Sequence, residues 1–155
     1  MIYESDQDRA NQEIAVAMLC DRLRCQYASL PKLSSTDYTL FSGNILVGFA
    51  EIKCRTNPMA LYDTTIIDES KVVYSQKLRE KFGVPSFFVI MWSDYCGFTR
   101  LDTGGIFKTV GGRNDRGDPN DGRDLHAHFP IKNFTIIGSS KSWIDSKKDR
   151  VLVVH

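Results

Sequence analysis

Several absences narrow the chain before any motif is read. No apolar run approaches the ~18 residues of a membrane-crossing helix, which excludes a helical span. The opening residues M-I-Y-E-S-D-Q-D-R are polar and carry no hydrophobic stretch of a secretory signal. The four cysteines, Cys20, Cys25, Cys54 and Cys96, form no C-x-x-C pair, so their spacing gives no zinc site. A disulfide framework is not expected without a secretory signal. They are read as reduced thiols of a cytoplasmic protein. The net charge is only +1, which speaks against a histone-like, purely electrostatic partner of nucleic acid. No G-K-[ST] follows Gly104-Gly105 or Gly111-Gly112, so there is no P-loop. Ser42, Ser139 and Ser140 lack a G-x-S-x-G setting.

What is present reads as one domain over residues 1–155. At 42% hydrophobic and 25% charged, the chain has ordinary globular composition and the length to bury a core. Ser5 to Tyr27 has the pattern of a helix, opened by Ser5 with Asp8 three residues on and striped by Val16, Leu19, Cys20, Leu23 and Tyr27. Asp37 to Lys53 reads as two strands and a turn. Asp68 to Phe82 reads as a second helix, stopped by Gly83 and Pro85. Ser86 to Trp92 is a buried strand, with Tyr95 to Leu101 as its partner. Short strands fit Gly105 to Val110, Ile131 to Ile137 and the end of Trp143 to Val154. Residues 111–124 form a polar Gly/Asp/Asn/Arg loop. The expected architecture is α/β, a central mixed β-sheet flanked by helices. Its core covers about residues 5–102, and residues 103–155 form an irregular extension.

The second strand, I-L-V-G-F-A-E-I-K, is apolar on both faces until Glu51. It should lie in the middle of the sheet, covered on both sides. Glu51 and Lys53 share one face because side chains alternate along a strand. Whether Asp37 joins them depends on the turn. A three-residue loop, Ser42-Gly43-Asn44, pairs Asp37 with Phe49 and leaves Asp37 and Glu51 diagonal neighbours on one face. A two-residue loop without a compensating bulge turns Asp37 to the other face. Two converging carboxylates repel unless a cation lies between them, and a hard ion such as Mg²⁺ takes such oxygens while keeping several waters. Lys53 could then orient a water or neutralise a phosphate. Glu13, on the first helix, could add a ligand, and Lys71, early in the second, could hold a phosphate. The competing reading is an ordinary hairpin with a surface Glu/Lys pair. His126 and His128 would share a face on a strand, but no third metal ligand has helpful spacing, and they are read as ordinary histidines.

The D-x13-E-I-K arrangement, with a helix carrying Glu13 before it and a helix and apolar strand after it, resembles the PD-(D/E)xK nuclease superfamily. The resemblance covers roughly Ser5 to Trp92. Thr36 stands where the superfamily's name has proline. What the resemblance implies is a restriction-endonuclease-like or Holliday-junction-resolvase-like core and a metal-dependent nuclease hydrolysing DNA phosphodiester bonds, with endonuclease action favoured. It implies Mg²⁺, with Mn²⁺ as substitute, held by Asp37, Glu51 and Glu13, and Lys53 as the catalytic lysine. Lys71, Arg113 and Arg116 are the candidate substrate contacts. DNA is the expected partner, with no membrane and with a homodimer as one arrangement for so small a nuclease. The alternative is a relative that binds nucleic acid or protein without cutting.

Overall fold

The computed structural model describes residues 6–31, 34–110 and 125–140. Its order is α1 (Asp6–Leu23), β1 (Gln26–Ser29), β2 (Tyr38–Ser42), β3 (Ile45–Cys54), β4 (Thr64–Asp68), α2 (Glu69–Phe82), β5 (Ser86–Met91), β6 (Tyr95–Arg100), β7 (Phe107–Val110), β8 (Leu125–Pro130) and β9 (Thr135–Ser139). A 3₁₀ turn precedes β4 and another separates β8 from β9.

Six strands make the main sheet in the order β1-β2-β3-β5-β6-β9. The β3–β5 pair is parallel and its neighbours are antiparallel, so the sheet is mixed, as expected. The parallel pair exists because β4 and α2 intervene and carry the chain back to start β5 in the same direction. The two faces separate cleanly along β5. Val89 and Met91 join Ala50 and Ile52 beneath α1, where Ala15, Val16 and Leu19 are buried. Phe88, Ile90 and Trp92 point the other way, toward Val72 of α2 and Ile67, Ala127 and Phe129. This second layer includes a sheet of its own, β4-β8-β7.

Four local outcomes differ from the sequence expectation. The first helix stops at Leu23, not Tyr27, because Arg24 takes a left-handed backbone (φ 57°) and Gln26–Ser29 becomes an edge strand. Tyr27 therefore leaves the helical stripe and meets Tyr38 edge-on at 5.6 Å. The hairpin turn has two residues, not three: Ser42 pairs with Ile45, and Gly43 supplies the positive φ of 62°. A bulge between Leu40 and Phe41 then absorbs Val47, so Thr39 pairs with Phe49 and Tyr38 with Ala50. Within the extension, β8 was not expected at all, while the expected strands appear as β7 and as β9, which starts only after a 3₁₀ turn at 131–133. Gly83 ends α2 as expected, left-handed, with its N–H donating to the Arg79 carbonyl. The strand expected near Val154 lies outside the described residues.

Beside these elements, Asp102 is a buried junction between α2 and the sheet. It accepts from Arg79 Nη1 at 3.1 Å, Arg100 Nε at 2.8 Å and the Ser86 backbone N–H at 3.1 Å. Burial alone would raise its carboxyl, but the Arg100 and Ser86 hydrogen bonds prevail and hold it below the usual carboxylate range. No helix among the described residues is long and apolar enough to cross a membrane.

Candidate active site

The bulge decides the geometry of Asp37. Continuing the register from Tyr38 and Ala50 sets Asp37 beside Glu51, one step closer than the diagonal arrangement expected from a three-residue turn. Asp37 is held there at several points. Its N–H donates to the Ala50 carbonyl at 3.2 Å, and its carbonyl accepts from Leu30 N–H at 2.9 Å. Its Oδ2 accepts the Ile52 N–H at 2.8 Å, where a ladder carbonyl would otherwise sit. Thr36, in the proline position, is buried and donates from Oγ1 to the Ala50 carbonyl at 3.2 Å. A hydroxyl thus pins the entry to the strand where a proline would have stiffened it.

Glu51 is 2% exposed. Burial first, and then the Asp37 charge, push its carboxyl up to about 7, against the opposing pull of Lys71 and Lys53. Its Oε1 lies 3.4 Å from Lys71 Nζ, and Lys71 also donates to the Ser35 carbonyl at 2.9 Å. Its Oε2 is buried with no partner among the described residues. A buried, unpartnered carboxylate oxygen is costly, and it is the donor a hard cation would take. Two carboxylates are enough protein ligands for Mg²⁺, which retains several waters. Among the described residues no three His, Cys, Asp or Glu side chains cluster as a metal cage.

Lys53, half-buried, shares a cleft with Arg55, Asp68, Lys71 and His126. Lys53 and Lys71 both act on the Glu51 charge, and with Arg55 and His126 in the same cleft they suit a phosphodiester. Arg55 continues the E-I-K alternation by two residues, and extending the period along C-R would have found it. Asp68 and His126 had no comparable signal. Asp68, expected as a helix cap, makes no side-chain cap bond and instead lies 3.4 Å from His126 Nε2. Their meeting depends on the pairing of β4 with β8, across nearly sixty residues of sequence.

The remaining candidates fall elsewhere. Glu13 is exposed on α1, and its charge acts on Tyr27, whose hydroxyl is raised mainly by burial and secondarily by Glu13. No contact of Glu13 with Asp37 or Glu51 is present among the described residues. Arg113 and Arg116 lie outside the described residues. His128 shares its face with His126, as expected of a strand, and sits between Thr64 Oγ1 at 2.9 Å and Thr109 Oγ1 at 2.8 Å.

A family profile described as "Phage putative PDDEXK endonuclease" matches residues 1–137. The chain belongs to the phage PDDEXK endonuclease family. It is a nuclease by that membership. No curated protein sequence matches this nuclease. Among solved structures it is similar to Archaeoglobus fulgidus Hjc, a Holliday junction resolvase from an archaeal hyperthermophile, with a TM-score of 0.54 and 9% identity over 84% of this chain and 88% of that one. At that identity the likeness concerns the fold, and it extends past the Ser5–Trp92 region where the motif resemblance ended.

Proposed function

We propose that this nuclease is a Mg²⁺-dependent DNA endonuclease whose metal ligands are Asp37 and Glu51 and whose catalytic lysine is Lys53. The observation that carries the reading is the buried, unpartnered Glu51 Oε2 beside Asp37, with Lys53 on the same face two residues on. A divalent ion held by these carboxylates would polarise a phosphoryl oxygen and lower the pKa of a coordinated water. Lys53 orients the attacking water and offsets charge on the pentavalent phosphate. Water oxygen bonds to phosphorus, the bond to the 3′ oxygen breaks, and that oxygen leaves as a hydroxyl with a proton from the water. The 5′ phosphate remains on the downstream strand. Lys71, already 3.4 Å from Glu51, holds a non-bridging phosphate oxygen. Mn²⁺ serves in place of Mg²⁺. Glu13 is retained as a ligand only through an intervening water, and Arg113 and Arg116 as backbone contacts.

The deciding experiment incubates purified protein with duplex, nicked, branched and single-stranded DNA and with RNA, in Mg²⁺, Mn²⁺ or EDTA. Cutting of DNA that needs the ion, leaves 5′ phosphate ends and disappears in Lys53→Ala is expected, with binding largely kept. Undiminished cutting by a clean Lys53→Ala preparation refutes the assignment. Light scattering reads whether the protein works as the homodimer that its size suggests.

A further inference from the structure

A second pocket opens beside the catalytic cleft and shares Arg55 and Ile66 with it. We propose that this pocket receives one unstacked nucleobase of the substrate strand, next to the phosphate that is cut. The inference rests on the nuclease reading and adds a substrate class: DNA with an unpaired nucleotide at the cleavage site.

Its position is the first argument. Arg55 lies one residue past the end of β3, two beyond Lys53, and its N–H donates to the Met91 carbonyl at 2.9 Å, so it continues the strand direction by roughly 6.6 Å from Lys53. A backbone whose scissile phosphate lies at Lys53 and Lys71 reaches Arg55 with its neighbouring phosphate. The base of that nucleotide is then delivered to the second pocket. Arg55 is anchored for this, with Nη2 donating to the Ile66 carbonyl at 3.2 Å.

The lining is the second argument. The pocket is about 490 Å³, within the usual range for a small-ligand site. Met59, Trp92 and Ile131 give it an apolar base, while Asn57, Thr64 and His128 bring polar groups to it. A phosphate alone has no use for the apolar part. A nucleobase has both a stacking face and a hydrogen-bonding edge. Tyr62 lines the pocket and is 63% exposed, an aromatic ring left in water beside a positively charged cleft. His128 is fixed through both ring nitrogens and stacked on Phe107 at 4.2 Å, so its place in the wall is set before any ligand arrives. Asp63 balances Arg55 in the pocket's own lining, so it is continuity with the cleft that carries Lys53, Arg55 and Lys71 that favours nucleic acid over a peptide as occupant.

The test uses the full chain and DNA carrying 2-aminopurine at single positions flanking the cut. Substrates are a continuous duplex and the same duplex with one unpaired nucleotide beside the cut. Fluorescence is read with Lys53→Ala protein, and cleavage with wild type, Tyr62→Ala and Tyr62→Phe. One flanking 2-aminopurine should change its emission on binding, and wild type should cut the unpaired substrate about tenfold faster. Tyr62→Ala should lose that preference, cutting the two substrates at about equal rates, and Tyr62→Phe should keep it. Equal rates on both substrates, or a preference that survives Tyr62→Ala, overturns the pocket while leaving the nuclease reading standing. No cutting of any DNA by wild type, with the 2-aminopurine response present and lost in a Lys53→Ala/Tyr62→Ala protein, keeps the pocket and removes the catalysis. Neither cutting nor a response removes both.

Discussion

Replacing Glu51 by glutamine should make the protein more stable at alkaline pH and inactive as a nuclease. The carboxyl is displaced from an ordinary 4.5 to about 7, mainly by burial and then by Asp37. A shift of that size corresponds to about 3 kcal/mol of differential cost between the two protonation states. The sign follows from linkage. Between pH 4.5 and 7 the folded protein keeps a proton on Glu51 that the unfolded chain releases, so stability falls as pH rises through that window. The cost is absent below 4.5 and fully present above 7. Glutamine carries no charge and escapes it. The substitution also places an amide in a pocket shaped for a carboxylate, so the net gain at pH 8 should be about 1–2 kcal/mol. That offset varies little with pH. The decisive quantity is therefore the change in the wild-type-to-variant difference between pH 4.5 and 8, expected at about 3 kcal/mol or somewhat less. Urea denaturation in EDTA at several pH values measures it. Parallel stability curves, with a difference independent of pH, would refute the claim that Glu51 is a strained, buried acid.

Four further outcomes follow from other parts of the fold. Saturating Mg²⁺ should raise the melting temperature of wild type, by about 2.7 kcal/mol of added stability at a hundred times Kd, and leave Glu51→Gln unmoved in the same thermal scan. Asp102→Ala should cost about 2–4 kcal/mol in urea, because it strands the Ser86 N–H and two guanidinium groups; wild type should also lose stability as pH falls through the depressed Asp102 value while the variant does not, and a variant as stable as wild type contradicts this. Phe88→Ala should cost about 3–5 kcal/mol by the same measurement, since the ring is fully buried and meets Phe129 and Phe134 edge-on. Burial pushes the thiols of Cys20 and Cys96 up to about 12, so a disulfide-exchange reagent at pH 8 should modify both only after unfolding.

The charged end of the hairpin was legible because its logic is local. An apolar strand that turns charged at Glu51 and Lys53 announces itself by alternation, and Asp37 lies within reach of any tight turn. The turn itself stayed open between an odd loop and an even loop with a bulge: Gly43 fits either length, and nothing in L-V-G marks Val47 as the residue to be bulged. The helix end was missed because Arg24 adopts the left-handed conformation usually given to glycine. Strand β1 is exposed along its whole length, so it carries no apolar alternation to read. Asp68, His126 and the second pocket depend on β4 finding β8 and β8 finding β7. Such pairings are contacts of high sequence separation, which local pattern does not encode. Glu13 is exposed on α1 and its charge acts on Tyr27, a neighbour that helical spacing alone does not reveal because Tyr27 lies on β1.

The bulge at Val47 turns a length into a parity. Asp37 and Glu51 share a face because the turn and the bulge together contribute the right number of residues modulo two, not because either has a required size. A single insertion or deletion anywhere between them would exchange the faces of every residue beyond it, sending Asp37 under α1 and Tyr38 out of the core with it. Paired insertions, or a deletion matched by loss of the bulge, would leave both intact. The spacing of an Asp from its E-x-K in chains of this design should therefore vary in steps of two, and odd steps should mark the gain or loss of a bulge.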